Sequence, residues 1–199
     1  MKIWIIAICL MVVSMPGLAQ KTVSPEMTER AALLQTLSRG KQITVNNQKY
    51  QHLPEVFAVA HADPGKEPQE LLAQVGASAG SLIETKGPYV VYRSGQPQAA
   101  PSVSQIGSVT VYPTVLNTEN GTIGVLLGTV EVKPKRMADA AAIGSDHGLE
   151  LVREFPHLQS VFYKVRNNRD VIQAAVALGA DLRITSAYPE ILEYVAVPH

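Results

Sequence analysis

Apolar and polar positions alternate most regularly in the last third of the chain. Val161, Tyr163 and Val165 face one way while Phe162 and Lys164 face the other, the period-two pattern of a half-buried strand. Upstream, a strand ends over 129–133. Met137, Ala140, Ala141 and Ile143 then form an apolar stripe on a helix that ends near Gly148, and 149–155 reads as a second strand. Downstream, Asn168 is placed to cap a helix carrying Val171, Ile172, Ala175 and Leu178 and stopped at Gly179, and 182–190 supplies a final strand. Strand, helix, strand, strand, helix, strand is the ferredoxin-like order, an antiparallel sheet with both helices on one face.

The preceding segments extend this unit. Strand patterns over 108–116 and 122–132, joined at Asn120-Gly121, predict a long β-hairpin in which those two residues supply the positive-φ positions. Further upstream the pattern predicts an α/β region. A helix starts at Ser24-Pro25 and carries Met27, Ala31, Leu34 and Leu37 as far as Gly40, and a small hairpin turns at Asn46-Asn47. A turn at 63–65, a brief helix over 70–75, and strands over 81–84 and 88–93 follow. Residues 94–104 are rich in Pro, Gln, Ala and Ser and read as a mobile loop with little to bury. The fold class is therefore α+β: a ferredoxin-like domain over 105–199, preceded by an extension over 20–104.

The first nineteen residues stand apart. Met1-Lys2, the apolar run 3–13 and the small-residue exit ending at Ala19 form a cleavable export signal. Its loss removes Cys9, the single cysteine of the 199-residue chain, and with it any disulfide or thiol chemistry. About 180 residues remain, enough for one domain with a real core or two small ones. The predicted location is the periplasm, or the medium alongside a secreted partner. The balance of 17 basic against 17 acidic residues argues against a nucleic-acid surface or a polybasic membrane patch.

Val132-Lys133-Pro134 closes the first strand of the C-terminal unit, a helix of alanines follows over 138–143, and Gly148-Leu149 opens the second strand. An apolar strand over 160–165 and an alanine-rich helix over 170–179 precede Tyr188-Pro189-Glu190-Ile191-Leu192-Glu193-Tyr194, which leads into an extended tail. In these features residues 129–197 resemble the propeptide domain of subtilisin-like serine proteases. The resemblance implies a sheet that packs on the protease surface and a C-terminal segment that occupies its active-site cleft like a product. With no catalytic domain following and an export signal of its own, the chain is expected to act in trans as an inhibitor and folding chaperone, in a 1:1 complex with a separately encoded protease.

The candidate protease-binding residues are then Phe162, Tyr163, Tyr188, Glu190 and Tyr194, with Val195, Ala196, Val197, Pro198 and His199 in the cleft; Phe155 joins the aromatic candidates. Phe162 and Tyr163 are neighbours in a strand, so at least one of them should be buried. The tail lacks helix signals and can pair as a strand with a cleft edge, and Pro198 pre-orders it.

Catalytic readings find little support. His52, His61, His147, His157 and His199 have no zinc-ligand spacing, and the adjacent Ser145-Asp146-His147 cannot converge as a triad unaided. Glu190 and Glu193 would pair as carboxylates only on a helix. No enzyme activity, cofactor or metal is expected. The alternative is a structural or assembly protein of the cell envelope that reuses the fold without touching a protease.

Overall fold

The computed structural model describes residues 40–61, 66–78, 81–97, 100–166 and 168–194, together with the helical residues Ala32, Leu34, Thr36 and Leu37. The export signal, the helix start at Ser24, the turn at 63–65 and the tail 195–199 lie outside the described residues.

Among the described residues ten strands form one antiparallel sheet: β1 (Gln42–Val45), β2 (Gln48–His61), β3 (Leu82–Lys86), β4 (Tyr89–Arg93), β5 (Ser104–Ile106), β6 (Val109–Asn117), β7 (Ile123–Pro134), β8 (Glu150–Phe155), β9 (Ser160–Lys164) and β10 (Ile184–Leu192). Beside the helical residues already named, the described α-helices are α1 (Pro68–Gln74), α2 (Ala140–Asp146) and α3 (Val171–Gly179). The C-terminal elements run β7-α2-β8-β9-α3-β10 and pair in the order β10-β7-β9-β8, the expected ferredoxin-like sheet. The N-terminal elements β2, α1, β3, β4 and β6 pair in the order β3-β4-β2-β6. That is the same strand order again, with the second helix replaced by the connection from β4 to β6. The sheet runs unbroken across the expected division at 104–105, because β2 pairs with β6 from Tyr50–Asn117 to His61–Val109.

Alternation along β7 builds the C-terminal core. Val130 and Val132 turn toward α2 and α3, where they meet Ile143, Val161, Tyr163 and Leu178. Tyr163 is fully buried and its hydroxyl donates to the Ala140 carbonyl at 2.7 Å, so its side chain is unavailable to a partner. Of the adjacent pair, Phe162 is the one left on the other face.

Helix α3 is capped by Asp170, whose carboxylate accepts from the Gln173 N–H at 2.9 Å; Asn168 instead adopts a left-handed φ of 65°. Lys41 donates to the same Asp170 at 2.9 Å. Asp170→Ala is expected to cost about 1 kcal/mol through the lost cap, with little from the half-exposed ion pair; chemical denaturation checks this.

In the N-terminal half both faces of the sheet are covered. Phe57, Val59, Val90 and Tyr92 meet Leu71 and Leu72 of α1, while Val56, Ala58 and Val91 meet Leu34 and Leu37 on the other side. A strand buried on both faces reads as a continuous apolar run, not an alternation. Pro54 and a register shift between Leu53 and Phe57 interrupt it further, so the pattern over 52–61 is silent in sequence.

Two turn expectations meet different outcomes. Asn46 and Asn47 both have positive φ, 49° and 68°, and close β1–β2 as a two-residue hairpin. At the second hairpin only Gly121 is left-handed, at 73°. The turn is held by Asn117, whose side-chain oxygen accepts from the Glu119 N–H at 3.0 Å, and by Asn120, which accepts from the Thr122 N–H at 2.9 Å. β6 and β7 pair only near this tip, over 114–116 and 123–125; further along, β6 takes β5 and β7 takes β9. The long hairpin expected from the pattern therefore splays, and each arm serves a different half.

The segment 94–104 is also more ordered at its end than its composition suggests. Pro101, Ser102 and Val103 are buried, Ser102 bridges to Asp170, and the Val171 N–H donates to the Pro101 carbonyl at 3.0 Å. The chain crosses here onto the start of α3, and this contact helps to join the two halves.

Candidate functional site

Among the described residues no helix covers the sheet face opposite α2 and α3. Strand register aligns Tyr188, Glu131, Phe162 and Arg153 in one row across β10, β7, β9 and β8, so their side chains project from the same side. The Arg153 guanidinium lies 4.6 Å from the centre of the Phe162 ring, and Phe155 meets that ring edge-on at 5.7 Å between centres. Glu190, two residues along β10 from Tyr188, accepts from the Thr129 hydroxyl and pairs with Arg153 at 3.2 Å. Glu131 accepts from the Ser160 hydroxyl at 2.7 Å. The result is a half-buried aromatic centre whose neighbouring charges are fixed by one another.

Beyond β10 the face continues into a groove of about 470 Å³, walled by Val45, Gln48 and Tyr50 of the first hairpin and by β10 itself. Tyr50 is buried, and its hydroxyl pKa is pushed up to about 12, first by burial and then by Glu193. Tyr194 is 70% exposed and its hydroxyl lies 3.3 Å from that of Thr122.

Of the sequence candidates, Phe162, Tyr188, Glu190 and Phe155 thus share this face or its rim, Tyr194 stands at its exit, and Tyr163 is core. Val195, Ala196, Val197, Pro198 and His199 lie outside the described residues. Sequence reasoning passed over Arg153, Glu131 and Thr129. Alternation within 149–155 and 129–133 could have placed them opposite the core, but their mutual pairing depends on register. Glu190 and Glu193 sit on and just after a strand, each held by its own partner, and do not form a carboxylate pair.

His147 lies 3.1 Å from Asp181 in the loop between α3 and β10, and Arg183 donates to that carboxylate at 2.6 Å, holding it well below the usual carboxylate range. Asp146 pairs with Arg183 rather than with its neighbour His147. Among the described residues no group of three His, Cys, Asp or Glu side chains could hold a metal ion.

Residues 38–195 match the family model described as the open reading frame 2 N-terminal domain. No curated protein matches. Among solved structures, a chain in the crystal structure of the Aeromonas sobria serine protease (ASP) and the chaperone (ORF2) complex is 15% identical, with a TM-score of 0.37 over 49% of this chain and 100% of that one.

Proposed function

The chain belongs to the open reading frame 2 N-terminal domain family, and we propose that it binds a separately encoded subtilisin-like serine protease in trans, assists its folding and blocks its cleft with residues 195–199. The helix-free face is the observation that carries this reading. A ferredoxin-like sheet with one side covered by α2 and α3 leaves a half-buried aromatic and charged surface of the kind that docks on a partner, and β10, which carries Tyr188 and Glu190 on that surface, ends at Leu192, three residues before the tail in sequence. The resemblance of 129–197 to protease propeptides supports the partner class. Action takes place outside the cytoplasm, where the export signal sends the chain. The complex is 1:1, with one face and one tail per protease.

The test is a titration of the mature protein, and of a variant lacking residues 195–199, against a panel of subtilisin-like proteases that includes those secreted by the same cell. Stoichiometric inhibition that weakens on deletion, with the fold retained, is the expected result. Folded protein that neither binds nor inhibits any of them sinks the proposal and leaves the envelope assembly role.

A further inference from the structure

Besides its joins to α3, the N-terminal half makes two side-chain contacts with Glu193, just before the C-terminal tail. Lys86, at the end of β3, donates to the backbone carbonyl of Glu193 at 2.9 Å and pairs with Glu84 at 3.2 Å. Its side chain is only 12% exposed, so the ammonium is largely withdrawn from water and committed to these acceptors. Asn117, fully buried at the end of β6, donates from Nδ2 to the Glu193 carboxylate at 2.9 Å, while its Oδ1 holds the β6–β7 turn. The two residues before Glu193 are gripped as well. Ile191 packs with the cluster of Val45, Tyr50 and Val115, and Leu192 with the cluster of Leu53, Val56 and Val91. Gly124 leaves the space for Ile191, since a Cβ there would collide with that side chain.

We propose that Lys86 and Asn117 are positioning residues that fix the main chain at Glu193 and so set the direction in which residues 195–199 leave the sheet. This would give the N-terminal half its role: a free-standing inhibitor of this kind would need the half-sheet because β10 alone, an edge strand paired only with β7, leaves its end untethered. Holding the root lowers the ordering cost when the tail enters a cleft, which appears as tighter inhibition without any new contact to the protease. The inference rests on the tail-insertion reading above.

Two substitutions separate clamping from folding. Lys86→Met removes the donor to the Glu193 carbonyl and keeps the stem; Lys86→Arg restores a cation and serves as the rescue. Asn117→Asp keeps the oxygen that accepts from the turn but sets a carboxylate against Glu193. Each is made in the full chain and in the chain lacking 195–199, and inhibition of the protease found by the titration is measured together with the melting temperature.

The clamp predicts that Lys86→Met and Asn117→Asp each weaken inhibition about tenfold in the full chain, have no effect on the residual binding of the truncated chain, and that Lys86→Arg recovers most of the loss. An equal loss in both backgrounds, or none in either while the truncation itself weakens inhibition, overturns the clamp and leaves tail insertion standing. A truncation without effect overturns tail insertion, and the clamp with it.

Discussion

Phe162→Glu is expected to weaken association with the proposed partner protease by about a hundredfold, about 2.7 kcal/mol, with little change in melting temperature. Phe162 is the centre of the helix-free face: Arg153 stacks on its ring and Phe155 meets it edge-on, so a carboxylate there removes the aromatic anchor and adds negative charge beside Glu131 and Glu190. Central aromatic residues ringed by polar neighbours are where interface energy concentrates. Folding should tolerate the change because the side chain points away from the Val130, Val161 and Tyr163 core. The control is Val176→Glu on the outer side of α3, 61% exposed, which should alter neither binding nor stability. Binding by calorimetry to a protease whose catalytic serine is replaced by alanine, which leaves the cleft open to the tail, alongside thermal melts, reads both quantities. Unchanged affinity for Phe162→Glu would remove this face from the interface.

The second large effect is on stability in acid. His52 is 1% exposed on β2, its Nε2 has no hydrogen-bond partner among the described residues, and its pKa is lowered to about 4, first by burial and then by Lys41 against the opposing pull of Asp170. A folded-state pKa below the unfolded value of 6.5 means that the unfolded chain takes up the proton first. The contribution is therefore complete above pH 6.5 and lost progressively as pH falls toward 4, to a total of about 3 kcal/mol for a shift of this size. His52→Leu should remove this component of the pH dependence, whatever it does to stability at pH 7.5. Urea midpoints for both proteins at pH 7.5, 6, 5 and 4 check it; parallel curves would show that His52 does not titrate across this range.

The location of that histidine ties the acid response to the join between the halves. The backbone of His52 exchanges hydrogen bonds with Gly40 and Lys41, and Lys41 reaches the Asp170 cap of α3. A Cβ on Gly40 would meet the His52 carbonyl at 2.5 Å, so only glycine permits this approach. Protonation at His52 would strain the place where the N-terminal segment, β2 and α3 come together.

The last seventy residues could be read in order because β7 and β9 each bury one face and α2 and α3 each carry an apolar stripe, so the side-chain period states the element. Across 52–61 the same logic failed, since a strand covered by α1 on one side and by Leu34 and Leu37 on the other has no polar period to show. Asn168 and Asp170 illustrate a finer limit. Both residue types cap helices, and only the backbone, left-handed at Asn168 and extended at Asp170, selects between them. The same applies to Phe162 and Tyr163, where alternation demanded that one be buried and packing against Ala140 and Gly144 decided which.

The sequence by itself therefore determined the ferredoxin-like order of the C-terminal unit and the two-residue turn at Asn46-Asn47, because these follow from local periodicity and turn chemistry. Only the tertiary structure decided that the N-terminal half repeats the same strand order, that Arg153, Phe162 and Glu190 meet on one face, and that Lys86 and Asn117 converge on Glu193. Those outcomes depend on strand register and on contacts between residues as far apart as 107 positions, and no local pattern encodes which distant side chains will meet.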